Sequence, residues 1–325
     1  MTDASPTPTH ATATGPRDDR ARPLVPNEDA RVLVLGCAGM LGRAITATLS
    51  AHAIDWLGAG RGTMDLANPA SMRRESDHTI PRHGVVINCA AWTNVDGAEA
   101  DEPGARAANA SGVATLAELC RDAGTTLVHI STDYVFNGTA PLDTRGNPRP
   151  WRTDDPIDPI NAYGRTKAEG EQAIRDSGCE HLILRTSWLH AAWGNNFVCT
   201  IARLCLTKPH IKVVSDQVGR PTCGWHLASA TLALLMAGAR GTHHLTDAGE
   251  PTSWHGFATE IARHVARRWG IACDVAPCTT AEFPRPAKRP AYSVLDLAAT
   301  EAIIGPRPDW RVGLAEVMAT MERPA

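Results

Sequence analysis

The run Arg31-Val32-Leu33-Val34-Leu35 stops at a glycine, and the stretch Gly36-Cys37-Ala38-Gly39-Met40-Leu41-Gly42 leads from it into a helical pattern that lasts to Leu49. A short apolar run of β-formers, a glycine-rich break and then helical spacing read as strand, tight turn and helix. Each glycine at such a turn has a task. Gly36 allows the sharp reversal, Gly39 lets the backbone approach a pyrophosphate, and Gly42 lets the helix pack closely on the sheet, while the helix N-terminus offers amide donors to phosphate oxygens. Glycines alone specify little; the strand before and the helix after make this a dinucleotide-binding turn.

Further apolar runs at Val85-Val86-Ile87-Asn88, Thr126-Leu127-Val128-His129-Ile130 and His181-Leu182-Ile183-Leu184 are separated by stretches that hold helices, such as Ala107 to Ala123. Strands that alternate with helices imply a parallel sheet covered on both faces. Beyond it, Ile211-Lys212-Val213-Val214 and Thr242-His243-His244-Leu245 read as strands among Pro-rich loops, which suits a smaller lobe closing over a ligand. The expected fold is α/β: a Rossmann-type doubly wound parallel sheet with a smaller C-terminal α/β substrate-binding lobe. Residues 1–29, rich in proline and poor in large apolar groups, are expected to be a disordered tail. Residues 30–185 form the NAD(P)-binding domain, and 186–325 are mainly the substrate lobe, with some segments returning to the Rossmann sheet.

Composition narrows the partners. A formal charge of −3 gives no basic field for nucleic acid or an anionic membrane. With no long apolar segment and no hydrophobic leader, the expected location is the cytoplasm. The cysteines (Cys37, Cys89, Cys120, Cys179, Cys199, Cys205, Cys223, Cys273 and Cys278) are odd in number and never spaced Cys-x-x-Cys, so they read as reduced thiols that pack as small hydrophobes.

About twenty residues past the glycine turn, an NAD-preferring site carries an acid for the ribose 2′-hydroxyl. Here the sequence is Leu57-Gly58-Ala59-Gly60-Arg61-Gly62, without a carboxylate. Arg61 is either a partner for a 2′-phosphate, which favours NADPH with NADH as a weaker alternative, or a solvated surface arginine. Asp65 is placed to contact the adenine end or to serve as a loop aspartate. Downstream, Tyr163-Gly164-Arg165-Thr166-Lys167 sets a phenol and an ammonium on one helix face. A cation beside a phenol favours phenolate and brings its pKa toward the working range. The strand ending in Ser131-Thr132-Asp133-Tyr134-Val135-Phe136 brings hydroxyls to the carboxyl edge of the sheet, where Thr132 can hydrogen-bond a substrate carbonyl.

With these motifs, the chain resembles the dTDP-4-dehydrorhamnose reductase family of the short-chain dehydrogenase/reductase superfamily. The likeness runs over about residues 31 to 315. Besides the glycine turn and Tyr163/Lys167, it rests on Val86 to Asp96, Leu184 to Trp188, Asn196-Phe197-Val198, Arg289 to Ser293, and above all Ser131 to Phe136 combined with Asp216-Gln217-Val218-Gly219-Arg220-Pro221-Thr222. The resemblance implies Tyr163 as proton donor, Lys167 on the nicotinamide ribose and tuning Tyr163, and Thr132 polarising the C4 carbonyl of a dTDP-linked 4-keto-6-deoxy sugar. It implies that Met40, Leu41, Asp65, Leu66, Ala90, Ala91 and Trp92 line the cofactor, and that Thr132, Asp133, Trp188 and Asn196 face the sugar. The implied product is dTDP-L-rhamnose. Departures are the long tail, the many tryptophans, including Trp92 and Trp193, and a lengthened Asn137 to Trp151 loop expected near the sugar pocket. No clustered carboxylates suggest a metal. Two alternatives stay open: a sibling reductase making another dTDP-deoxysugar, such as a dihydrostreptose-type unit, and a non-catalytic nucleotide-binding regulatory subunit. A homodimer is also left open.

Overall fold

The computed structural model describes residues 31–80 and 83–324; the expected tail, residues 1–29, lies outside the described residues. In chain order the first half comprises β1 (Arg31–Leu35), α1 (Met40–Ala51), β2 (Trp56–Ala59), α2 (Pro69–Thr79), β3 (His83–Asn88), α3 (Val95–Ala100), α4 (Glu102–Arg106), α5 (Gly112–Asp122), β4 (Thr126–Thr132), α6 (Ala162–Ser177) and β5 (His181–Thr186). The second half comprises β6 (Leu189–His190), α7 (Phe197–Thr207), β7 (His210–Val214), β8 (Val218–Gly219), β9 (Thr222–Cys223), α8 (Gly224–Met236), β10 (Gly241–His244), β11 (Thr252–Ser253), α9 (Trp254–Trp269), β12 (Asp274–Cys278), α10 (Ala298–Ile304) and α11 (Trp310–Thr320).

Six strands form one parallel sheet in the order β10-β5-β4-β3-β1-β2. From β1 the chain moves outward to β2 and then crosses to β3 on the other side. That reversal leaves a crevice at the carboxyl ends of β1 and β3, the position where open α/β sheets bind ligands. Alternate residues of each strand feed opposite cores. Val32, Val34, Val85, Ile87 and Val128 pack with α1 and α8 on one face, whereas Leu33, Leu35, Val86, Leu127 and Ile183 pack with residues of α2, α5 and α6 on the other. The sheet is therefore doubly wound, and α8 and β10 come from the second half of the chain. A third core, built around Phe257, Ile261, Trp310 and Leu314, belongs to α7, α9, α11 and β7.

One helix departs from the sequence expectation. The segment expected to be helical from Ala107 starts earlier, at Glu102, and carries a π-helical turn over Ala107–Ser111 before α5. The wider turn sits where Asn109 leaves the helix pattern to bond with Trp92 on a neighbouring loop.

Candidate active site

A cleft of about 1000 Å³ opens along the carboxyl edge of the sheet. At one end lies the glycine turn. Gly36 has φ +72°, and a Cβ there would sit 2.8 Å from the backbone nitrogen of Ala90 at the end of β3; a Cβ on Gly42 would run into the Gly36 carbonyl. Side chains at these positions would force β1, α1 and β3 apart. Gly39 is the N-cap of α1 and provides no side-chain cap, so the first-turn amides are left without a side-chain acceptor, as an anion site requires. Met40, Leu41, Arg61, Asp65, Leu66, Ala90, Ala91 and Trp92 all line this cleft, with Arg61 exposed at its rim. The residues present fit a dinucleotide: a close-packed glycine turn, an uncapped helix start and one cation on the wall.

At the other end stand Thr132, Asp133, Tyr163, Lys167 and Trp188. Asn161 caps α6 by accepting from the amide of Gly164, which starts the helix one residue ahead of Tyr163. Tyr163 and Lys167, one turn apart, then share a face. The Thr132 hydroxyl donates to Asp133 Oδ1 at 3.0 Å and accepts from the Tyr134 amide at 3.2 Å. The Tyr163 phenol oxygen competes for that single hydroxyl proton, because a hydrogen bond that lowers a phenol's pKa is one given to its oxygen. Burial pushes the Tyr163 phenol up to about 12, the bond with Thr132 opposes this, and the Asp133 charge adds to it. Lys167 Nζ itself bonds Ile130 O at 2.7 Å and meets His129 Nε2 at 2.9 Å. A phenol kept protonated suits a proton donor. Asp133 is itself raised to about 7 by burial, against hydrogen bonds from Ser293 and Thr132.

Behind these groups the floor is an ion pair without water access. Glu171 accepts from Arg185 Nε at 2.9 Å and Nη2 at 2.7 Å and from the Ser131 hydroxyl, with Glu171 0% and Arg185 2% exposed. Burial raises the Glu171 carboxyl, but Arg185 outweighs it and the net shift is downward. The pair pins α6 to β4 and β5, and thereby the helix that carries Tyr163 and Lys167.

Some expected residues stand elsewhere. Asn196 lies outside the cleft lining; its Oδ1 caps α7 at the Cys199 amide and its Nδ2 donates to Ala191 O and Trp193 O. The Asn137 to Trp151 loop also stays out of the lining. Its far end folds down instead, with Trp151 stacked on Phe136 at 4.4 Å between centroids and Arg149 bidentate on Asp155. Trp193 donates to Met40 O and receives Arg43 over its ring, bridging to the start of α1, while Asn195 does line the cleft. The sequence reading passed over Asn88 and His129, although a histidine inside an apolar strand run needs a buried partner and so marks itself. All nine cysteines are free thiols. Away from the cleft, Cys223, His226 and Glu316 bring metal-ligand atoms within 4.8 Å of one another. Both His226 nitrogens already face carboxylates, Nδ1 to Asp247 at 3.0 Å and Nε2 to Glu316 at 3.1 Å, and Arg307 lies 3.6 Å from Asp247. The arrangement is a charge-balanced clamp between α8 and α11.

A glycine turn at the switch point of a doubly wound sheet, with a tyrosine, a lysine and a threonine converging on the same edge, defines an NAD(P)-dependent oxidoreductase of the short-chain dehydrogenase type. Residues 30–323 match the RmlD substrate binding domain family, and the chain belongs to the dTDP-4-dehydrorhamnose reductase family. It is 39% identical over 304 residues to a dTDP-4-dehydrorhamnose reductase of Streptomyces griseus, covering 90% of this chain and 94% of that protein. It is 40% identical to a probable dTDP-4,6-dihydroxy-2-methyloxan-3-one 4-ketoreductase of Streptomyces antibioticus, covering 88% and 94%. Among solved structures, the Bacillus anthracis dTDP-4-dehydrorhamnose reductase in complex with NADP superposes with a TM-score of 0.81 at 32% identity, covering 90% of this chain and 99% of that one. Among the described residues, no helix is long and apolar enough to cross a membrane.

Proposed function

We propose that this protein reduces the C4 ketone of dTDP-4-dehydro-L-rhamnose to dTDP-L-rhamnose with NADPH. The observation that carries the reading is the convergence of Tyr163, Thr132 and Asp133 with Lys167 in the cleft that begins at the glycine turn. When bound, the reduced dinucleotide supplies a hydride. Gly36, Gly39, Met40 and Leu41 hold its pyrophosphate, Arg61 takes the 2′-phosphate, Asp65, Leu66 and Ala90 to Trp92 flank it, and Lys167 holds the nicotinamide ribose. Tyr163 gives its phenolic proton to the ketone oxygen as the alcohol forms. Thr132 turns its hydroxyl proton from Asp133 to that oxygen as the ketone binds. Residues 186–325 supply the substrate lobe, with Trp188 against the sugar. Trp188 is held at φ +48° and stacked on Trp254 at 3.5 Å between centroids, a strained backbone of the kind that packing sustains at ligand sites.

The test is the loss of reduced-cofactor absorbance when the purified protein meets enzymatically prepared dTDP-4-dehydrorhamnose, with NADPH and NADH compared and the sugar product identified. Turnover to dTDP-L-rhamnose, faster with NADPH, is the expected result. The similarity to the Streptomyces antibioticus 4-ketoreductase supports a second reading, reduction of a sibling dTDP-4-keto sugar. Turnover of such a sugar without turnover of dTDP-4-dehydrorhamnose would select it.

A further inference from the structure

Behind Lys167 lies a chain of buried polar groups that the reaction above does not use. Asn88 ends β3 and His129 sits inside β4, both 0% exposed. Asn88 Oδ1 accepts from the Ala90 amide at 3.0 Å. This assigns the side-chain amide, because the reversed orientation would set its NH₂ against the Ala90 N–H, donor against donor. Asn88 Nδ2 therefore donates to His129 Nδ1, 3.1 Å away. A neutral imidazole whose Nδ1 accepts carries its proton on Nε2. That Nε2–H is aimed at Lys167 Nζ, at 2.9 Å. An ammonium has three protons and no lone pair with which to receive it, whereas an amine accepts from His129 and still donates to Ile130 O, at 2.7 Å.

We propose that Asn88 and His129 hold Lys167 as a neutral amine in the ligand-free protein at mildly alkaline pH, and that Lys167 takes up a proton there when an anionic dinucleotide enters the cleft. The electrostatics point the same way. Burial pulls Lys167 down to about 8 against the opposing charge of Glu171, and burial and then Lys167 hold His129 well below 6.5. Glu171 is already committed to Arg185 and Arg175, and Tyr163, Asp133 and Cys89, whose thiol burial pushes up, are further titratable groups of the cleft lining. Added phosphate charge favours the ammonium, which can keep its bond to Ile130 O while turning another proton from Nε2 toward the cleft. The second half of the proposal rests on the reductase reading; the first does not.

The chain has four lysines, Lys167, Lys208, Lys212 and Lys288, so protein grown on lysine labelled with carbon-13 at Cε gives a spectrum simple enough to titrate. The Lys167 signal is identified by its loss in Lys167→Met. We expect it to titrate near pH 8, below the ~10.4 of an ordinary lysine. Asn88→Asp is close to isosteric, and its carboxylate draws the imidazole proton onto Nδ1, so that Nε2 accepts from the ammonium; the Lys167 midpoint should rise by more than about one unit. His129→Gln, whose amide oxygen can face the ammonium, should shift it in the same direction. NADPH added at about pH 8.5 should move the signal to its charged position. A Lys167 midpoint near the ordinary value, or one unmoved in both variants, would overturn the neutral amine. NADPH that binds by fluorescence yet leaves the signal in place would overturn the proton uptake. Protein that binds no NADPH would sink the reductase reading, and the second half with it, while the midpoint still decides the first.

Discussion

At the scale of single residues, proton transfer and cofactor choice fall to different ends of the cleft. Tyr163→Phe removes the phenolic proton and leaves the ring, so kcat should fall at least about a hundredfold, while NADPH affinity measured by fluorescence stays within a few-fold of the parent. An undiminished rate would remove Tyr163 as the proton donor. Arg61 is exposed at the rim, where its charge is free to meet a 2′-phosphate. Arg61→Ala should reduce the ratio of kcat/KM for NADPH over NADH by about tenfold, equivalent to roughly 1.4 kcal/mol, mostly through KM for NADPH. An unchanged ratio would return Arg61 to a solvated surface role.

Among the elements, α6 matters most because it carries both Tyr163 and Lys167. Its first turn passes so close to the 3₁₀ turn after β4 that a Cβ on Gly164 would meet the Tyr134 carbonyl. Backbone cannot give way as a flexible side chain can, so Gly164→Ala must displace the helix start. The expected cost is about 1–3 kcal/mol of stability, with kcat falling more than cofactor affinity, since Tyr163 is the adjacent residue. Urea denaturation together with steady-state kinetics would separate the two. Farther along the same helix, Arg185→Met leaves Glu171 charged and buried with the Ser131 hydroxyl and the partly exposed Arg175 beside it. The loss should be about 3 kcal/mol in the same denaturation measurement, and a loss below about 1 kcal/mol would mean that the pair is not the anchor of α6.

Across the whole molecule, the sheet cores and the third core are tied together by the clamp of His226, Asp247 and Glu316. Burial lowers the His226 pKa, but the hydrogen bond and charge of Asp247 and the charge of Glu316 outweigh it, and the folded value lies above 6.5. A raised folded pKa means that this contribution is complete below the unfolded value and is lost as pH rises through the folded one. His226→Gln should therefore lower Tm more at pH 6 than at pH 9. The difference is worth up to about 1 kcal/mol because half-exposed Glu316 is screened by solvent; equal losses at both pH values would remove the charged clamp. The strands, the glycine turn and the tyrosine/lysine pair were legible in the sequence because each depends on neighbours along the chain: strand patterning, a turn that needs glycine, and a four-residue spacing on one helix face. Local logic did not show that Trp151, at the end of the Asn137 to Trp151 loop, stacks on Phe136, or that the Asn196 side chain caps α7. Spacing set Lys167 beside Tyr163, and the fold adds His129 and Ile130, nearly forty residues away, as its hydrogen-bond partners. By itself, the sequence determined the α/β class, the dinucleotide turn and the residue types at the reactive edge, since periodicity and spacing are local properties. Only the tertiary structure decided which polar groups are buried together and in which direction their protons point, because desolvation and hydrogen-bond direction depend on groups that meet only when distant strands come side by side.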